Sequence, residues 1–336
     1  GQFMEALNSG RYDPDTTALM LTQTGGGCRA SNYIHLLRKA LKGKYPQVPV
    51  ISLNFSGLEK EGGFHLTVPI IMKLLFAVLY GDLLMLLYNQ CRPYEMIPGD
   101  TDKVLHQWEK TLQENFLKNK FLGTAKTYKK ILDDFAKIKR SKIKKIKVGI
   151  VGEIYVKYSP LANNHLEDFL ISEGCETVMP SLLDFVLYCA INNVNDGKIY
   201  GFKNKGTFTF KLGYDIIYGK QKQMIKIIKE HGVFEPPHDF EHMRSESDKY
   251  INQGVKMGEG WLIPAEMAAL AASGTENIIC AQPFGCLPNH IVAKGMSRVI
   301  KQSFPNANIV AIDYDPGATK VNQENRIKLM LANARR

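Results

Sequence analysis

The sequence predicts an α/β protein made of two doubly wound, Rossmann-like domains, each a parallel sheet flanked by helices. Short apolar runs alternate with helical patterns along the chain, and this alternation is typical of strand–helix–strand units. A chain of 336 residues exceeds what one hydrophobic core usually organises, which favours two domains. We expect the first domain over 1–141, ending in a helical part, and the second over 142–336.

The first domain opens with a strand, a glycine-rich loop and a helix. The apolar run 18–21 leads into the loop, and a helical pattern follows over 30–41. Its apolar residues recur every three or four positions, which places one face of the helix against a sheet. The β-rich run 48–53 predicts the next strand, and we expect the pair to be parallel. Three helical patterns complete the domain, at 67–90, 106–117 and 128–138.

One stretch, 66–88, is apolar enough to raise the question of a membrane span. It contains Lys73 and Asp82, and each would cost about 2.5–3.5 kcal/mol at the centre of a bilayer helix. We therefore predict a buried helix that covers a sheet, and no membrane partner.

The second domain repeats the strand–helix–strand pattern. The apolar run 146–151 predicts its first strand, and a helix that extends to Gly174 follows. The segment 200–219 is rich in glycine, lysine and aromatic residues without a clear period, and we interpret it as an insertion or lid. The remaining predicted elements are strands at 176–179, 277–281 and 308–313 and a helix at 264–272.

The formal net charge of +10 raises the question of nucleic-acid binding. Seven basic residues fall within 137–147, just before an apolar strand, and such a run is typical of a solvated linker. We therefore expect no nucleic-acid partner. An anionic small molecule such as coenzyme A would be attracted by the same positive potential. The sequence does not decide whether the chain forms an oligomer.

The six cysteines do not resemble a secreted disulfide framework, and no secretory signal pattern opens the chain, so we expect reduced thiols in the cytoplasm. The chain begins with Gly-Gln-Phe, and we expect it to be an N-terminally truncated piece of a longer protein. Cys175, Cys189 and Cys280 lie in apolar contexts and are predicted to be buried structural thiols. Cys91 is intermediate between a buried structural thiol and a candidate site residue, because it is predicted to lie in a loop beside Arg92.

Two other cysteines, Cys28 and Cys286, each follow a predicted strand and precede a predicted helix. Ligands of parallel sheets bind beyond the carboxyl ends of the strands. A helix N-terminus favours a thiolate, and thiolates hold iron–sulfur clusters. The alternative is a phosphate-binding loop, although the glycines before Cys28 match neither the P-loop nor the dinucleotide fingerprint. These glycines are candidate cofactor-binding residues: Gly25, Gly26 and Gly27.

Three further residues are candidates for cofactor binding. Glu153 follows the first strand of the second domain, Glu259 stands between two glycines, and His290 lies four residues after Cys286. A structural turn is an equal alternative for Glu259, and His290 has the alternative of capping a helix. His238 and His242 share helical spacing but do not form an HExxH motif, so no zinc site is assigned. No catalytic residue is assigned either.

Six segments carry a resemblance to a known family: TQTGGGCRASNYIHLLRKAL (22–41), CRPYE (91–95), VGIVGEIYVKYSP (148–160), GEGWLIPAEM (258–267), CAQPFGCLPNHIVAKGM (280–296) and IDYDPGATKVNQENRIKLML (312–331). Together they resemble the 2-hydroxyacyl-CoA dehydratase-like part of proteins that are often fused to an ATP-dependent acyl-CoA dehydratase activase. The resemblance spans nearly the whole chain in the same order.

This resemblance implies an oxygen-sensitive iron–sulfur cluster that receives low-potential electrons from an ATP-hydrolysing activase domain or subunit. It implies Cys28 and Cys286 as cluster ligands and an acyl-CoA as a candidate electron acceptor. Further cysteines precede the corresponding region in the family and are absent from this chain. The resemblance therefore implies that this length of chain supplies only part of the ligand set.

Two other functions stay open at this point. A non-catalytic scaffold that binds coenzyme A or docks the activator would keep the fold and need no cluster. A nucleotide-dependent oxidoreductase would place the 25–27 loop on a pyrophosphate, but the glycine fingerprint is missing. The sequence does not decide whether the chain is an enzyme or a component of a dehydratase-like lyase or an ATP-dependent reductase system.

Overall fold

The computed structural model of the chain describes residues 1–23, 32–54, 67–201, 206–315 and 317–334. Helices and two parallel sheets make up these residues, so the predicted α/β class is confirmed. The chain divides into two compact units, Gly1–Ile71 and Met72–Arg336. Each unit has a hydrophobic core of its own.

The first unit contains a parallel pair of strands. Both predicted strands are present, and they pair in parallel along their whole length. The predicted apolar face of the intervening helix is confirmed, because Ile34 and Leu41 are buried. Leu7, Leu19 and Val48 join Leu41 in the small core of this unit. Its elements are α1 (Gln2–Asn8), β1 (Leu19–Gln23), α2 (Tyr33–Lys42) and β2 (Val50–Asn54).

The second unit is larger and contains the remaining elements. Its helices are α3 (Val68–Cys91, which begins at the end of the first unit), α4 (Asp100–Leu117), α5 (Thr124–Ala136), α6 (Ile154–Tyr158), α7 (Leu166–Ser172), α8 (Leu182–Ile199), α9 (Thr207–His231), α10 (Phe240–Ser247), α11 (Leu262–Ala272), α12 (Lys294–Ser303) and α13 (Lys320–Ala334). Its strands are β3 (Ile146–Gly152), β4 (Cys175–Val178), β5 (Asn277–Gln282) and β6 (Asn308–Asp313).

The four strands of the second unit form one parallel sheet in the order β4-β3-β5-β6. Alternate residues of β3 point to opposite faces, as strand geometry requires. On one face Ile150 packs with residues of α7 and α13. On the other face Val151 packs with residues of α11 and α12. Helices therefore cover both faces of the sheet.

A second core of this unit is formed mainly by helices, and it lies across the predicted domain boundary. Trp108 of α4 and Tyr128 of α5 are buried in one cluster with Leu183 of α8 and Trp261. We predicted that α4 and α5 belong to the first domain, which would end at residue 141. The structure instead divides the chain between Ile71 and Met72, because the apolar faces of α4 and α5 are buried against helices that come later in the chain.

Helix α3 provides the apolar stretch discussed above. Within the described residues, Val68–Tyr94 is the one helical segment long and apolar enough to cross a membrane. Leu79, Leu83 and Leu87 of α3 are fully buried in the helical core. The Asp82 carboxylate accepts hydrogen bonds from the amides of Leu182 (2.9 Å) and Leu183 (2.8 Å). Asp82 therefore caps the first turn of α8, which makes α3 a core helix of the second unit.

The 200–219 segment is not an irregular lid over its described part. Residues 202–205 lie outside the described residues, and α9 begins at Thr207. Tyr214, Met224 and Ile228 bury one side of α9 in the helical core. The aromatic residues that gave no clear period therefore belong partly to a helix of 25 residues.

Candidate functional site

The carboxyl ends of β3, β5 and β6 lie side by side at one edge of the sheet. Gly152 pairs with Ala281, and Gln282 pairs with Asp313 at the ends of the ladder. This is the edge at which open parallel sheets bind ligands. The described site candidates, Glu153, Glu259, Cys286 and His290, lie on or next to the loops that leave it. Cys28 and the three glycines before it lie outside the described residues.

Gly152 brings the turn after β3 tightly against β5. Its φ is +133°, and a Cβ at this position would lie 1.9 Å from the carbonyl oxygen of Ala281. The next amide, that of Glu153, donates to the same carbonyl oxygen at 3.1 Å. A side chain would prevent this approach, so glycine is required here.

Glu153 and Glu259 both accept hydrogen bonds from the first turn of α6. Glu153 is its N-cap residue and accepts from the amide of Val156 at 2.8 Å. Glu259 Oε1 accepts from the amide of Ile154 at 3.2 Å. Two carboxylates therefore occupy amides that a bound phosphate would need at this helix start. The hydrogen bond from Ile154 therefore favours the alternative that Glu259 has a structural role in a turn.

Cys286 is a half-buried thiol in the loop after β5. The Asn289 side chain donates to its sulfur at 3.1 Å, and the oxygen of the same amide accepts from the Cys280 thiol at 3.5 Å. Burial raises the pKa of Cys286 to about 11, and the carboxyl groups of Glu259 and Glu153 add to this effect. The expected lowering of this thiol pKa is therefore wrong, because desolvation and negative charge outweigh the hydrogen bonds from Asn289.

His290 is held by a carboxylate. Its Nε2 lies 3.1 Å from Asp313 Oδ1, which also accepts from Gln282 Nε2 at 2.5 Å. The Phe284 ring packs edge-on against the imidazole, with ring centroids 5.6 Å apart. Asp313 is the last residue of β6, so the imidazole is oriented by the end of a neighbouring strand.

A cluster of buried ionisable residues joins helices α3, α6, α8 and α11, and sequence reasoning missed it. Lys157 of α6 and Glu266 of α11 form a salt bridge of 2.9 Å, and both side chains are 1% exposed. Asp82 and Asp184 are also buried, and the charge of Lys157 acts to lower the pKa of both. One signal was available: Glu266 stands in the otherwise apolar helix PAEMAAL, where a carboxylate requires a buried partner.

Burial raises the pKa of several carboxyl groups in this cluster. The pKa of Asp82 rises to about 6 despite its two backbone hydrogen bonds. The pKa of Asp184 rises to about 7, because burial is reinforced by the nearby Glu266. The pKa of Glu259 also rises to about 7 through burial and the nearby Glu153. These groups therefore take up protons on folding near neutral pH.

We expect the second unit to become less stable as the pH rises from about 5 to about 7.5. The folded-state pKa values of Asp82, Asp184 and Glu259 exceed their ordinary values. The folded chain therefore binds more protons than the unfolded chain in this range. The stabilisation that these protons give is lost as the pH rises through the folded-state pKa values. Urea unfolding followed by tryptophan fluorescence measures the slope. Glu259→Gln should reduce it, whereas the exposed Glu109→Gln should not; a stability that rises with pH would contradict the prediction.

Three of the other cysteines lie inside the core, and Cys189 lies near the Glu259 carboxyl. Cys91, Cys175 and Cys280 are buried, as predicted for Cys175 and Cys280. Cys189 is exposed on α8, so its predicted burial is wrong. His238 Nε2 lies 3.5 Å from the hydroxyl of Ser273, and burial lowers the pKa of His238.

An iron–sulfur cluster requires several cysteine thiolates around one space. Cys286 offers one half-buried thiol, but no group of three His, Cys, Asp or Glu residues in the described part of the chain is arranged to hold a metal ion. These residues alone therefore fit one corner of a cluster site and do not complete it. No known protein family, curated protein sequence or solved structure matches the chain.

Proposed function

We propose that the chain is an iron–sulfur protein of the 2-hydroxyacyl-CoA dehydratase-like family. It takes low-potential electrons from an ATP-dependent activator domain or subunit and passes them to an acceptor, with an acyl-CoA as the candidate. Cys286 and Cys28 are the proposed ligands. The proposal includes a cytoplasmic location and two doubly wound, Rossmann-like domains. The observation that carries it is the position of the Cys286 thiol at the carboxyl edge of a parallel sheet.

The surroundings of Cys286 suit a ligand better than a free nucleophile. Burial raises its pKa to about 11, so the free thiol stays protonated near neutral pH and reacts slowly. The charge of a metal ion bound there would stabilise the thiolate, so Cys286 could serve as a ligand despite this raised pKa. The Asn289 amide already donates to the sulfur, and hydrogen bonds of this kind tune cluster potentials.

The charge near Cys286 is compatible with low-potential electron transfer. The carboxyl groups of Glu153 and Glu259 both act on the thiol, and negative charge beside a redox centre opposes the arrival of an electron. When bound, a cluster would supply one-electron transfer; the protein residues would position the sulfur and restrict the access of water.

Iron and acid-labile sulfide content after anaerobic reconstitution tests this proposal. We expect the chain to bind iron and sulfide through the ligands it supplies, in less than the amount of a complete cluster, and to show sulfur-to-iron charge-transfer absorption. Cys286→Ser should lose most of both, because serine does not replace a thiolate ligand well. Cys189→Ser is the matched control, since Cys189 is exposed and lies on α8, and it should retain both. A chain without iron, or equal iron in the two variants, would overturn the proposal.

A further inference from the structure

Cys280 is a buried thiol of β5 to which the proposed function gives no role. Its side chain is 1% exposed, and its sulfur lies 3.5 Å from Asn289 Oδ1 and 3.8 Å from Gln282 Oε1. Both of these amide side chains are buried as well. Buried polar groups are unfavourable unless they are hydrogen-bonded. The three side chains therefore form one hydrogen-bonded group inside the protein.

The two amides turn their oxygens towards Cys280 and their nitrogens towards the candidate site. Asn289 Nδ2 donates to the sulfur of Cys286 at 3.1 Å. Gln282 Nε2 donates to Oδ1 of Asp313, the last residue of β6, at 2.5 Å. Across the described ranges, the Cys280 thiol is the one donor to either amide oxygen. One thiol therefore serves the oxygens of two amides whose nitrogens face the site.

The orientation of the Asn289 amide decides which group Cys286 meets. A half-turn that exchanges the oxygen and nitrogen of an amide leaves its shape nearly unchanged, so its hydrogen-bond partners select the orientation. In the observed orientation the nitrogen donates to the sulfur, and a donor favours the thiolate that a metal ligand requires. After a half-turn the oxygen would face the sulfur, accept the thiol hydrogen and favour the protonated form.

We propose that Cys280 is a positioning residue, whose thiol holds the oxygen of Asn289 and thereby keeps the amide nitrogen on Cys286. Without this thiol, two amide oxygens that now share one donor would be left facing the same space. A half-turn of Asn289 would relieve this arrangement, because a nitrogen would replace one of the two oxygens. The consequence for a cluster ligand rests on the proposed function, whereas the orientation of the amide does not.

Alkylation of Cys286 by iodoacetamide in the metal-free chain tests the proposal, because this uncharged reagent reacts with the thiolate. Peptide mass spectrometry gives the rate at Cys286 separately from the rates at the other cysteines. Cys280→Ala should slow the reaction about threefold. The thiolate fraction falls about tenfold when a hydrogen bond to a charged group is lost, and the greater nucleophilicity of a more basic thiolate recovers part of this loss.

Two further variants separate the hydrogen bond from the packing of the thiol. Cys280→Ser should react like the parent chain, because the serine hydroxyl again supplies a donor to the Asn289 oxygen. Asn289→Leu removes the amide itself and should slow the reaction at least as much as Cys280→Ala does. Looser packing around Cys286 would expose its half-buried thiol and speed alkylation, so a purely structural effect has the opposite sign.

Cys175→Ala is the matched control. Cys175 is another buried strand thiol, but it belongs to the core on the opposite face of the sheet from that of Cys280. This variant should react at the parent rate, and circular dichroism should show that all four variants are folded. An unchanged or faster reaction in Cys280→Ala, or a reaction in Cys280→Ser as slow as in Cys280→Ala, would overturn the proposal. Because the chain is free of metal in this measurement, these outcomes are independent of whether it binds iron.

Discussion

Replacing Lys157 with methionine is expected to lower the free energy of unfolding of the second unit by about 3–5 kcal/mol. Methionine keeps most of the length of the side chain but removes its charge. Glu266, which is 1% exposed and now accepts two hydrogen bonds from Lys157, would be left as an unpaired buried carboxylate. Urea unfolding followed by tryptophan fluorescence reports on this unit, because both tryptophans, Trp108 and Trp261, belong to it.

Two further variants show whether the loss comes from the unpaired carboxylate. Lys157→Met combined with Glu266→Met should recover most of the stability, since replacing a whole buried ion pair with apolar side chains is often neutral or better. Lys103→Met removes an exposed partner of Asp100, with 74% of the lysine side chain exposed, and should cost at most about 1 kcal/mol. A Lys157→Met variant as stable as Lys103→Met would contradict the prediction.

Replacing Gly152 with alanine is expected to destabilise the second unit by about 3 kcal/mol or more. The added Cβ would lie 1.9 Å from the Ala281 carbonyl oxygen, and the φ of +133° is one that alanine rarely adopts. Because both atoms in the clash are backbone-fixed, β3 and β5 would have to separate at their carboxyl ends. The change should therefore also disturb the loop that carries Cys286, and the same fluorescence measurement gives the loss of stability.

Gly81→Ala is the matched control for this substitution. Gly81 lies within α3, and a Cβ there has no heavy atom within 4 Å. Alanine in a helix interior is favoured over glycine by about 1 kcal/mol, so this variant should be as stable as the parent chain or more stable. Similar losses for Gly152→Ala and Gly81→Ala would show that the close approach of β3 and β5 is not what requires glycine.

The local elements were predictable because their periodicity is contained in neighbouring residues. The strand over 146–151 and the apolar face of α2 both follow from spacing along the chain, and the structure has both. The domain boundary was not predictable in this way. Helices α4 and α5 could pack against elements that come before them or after them in the chain. The choice depends on which distant apolar face covers them, and their partners include α8 and Trp261.

The candidate site was likewise predictable from the sequence only in part. The sequence by itself determined which loops leave the strand ends, and hence that Cys286, Glu153 and His290 would lie near the edge of a sheet. Only the tertiary structure decided their chemical state. The raised pKa of Cys286 and the pairing of Lys157 with Glu266, 109 positions apart, result from burial and from charges brought together by folding. Desolvation and charge proximity depend on contacts between distant residues, and no local pattern in the sequence encodes them.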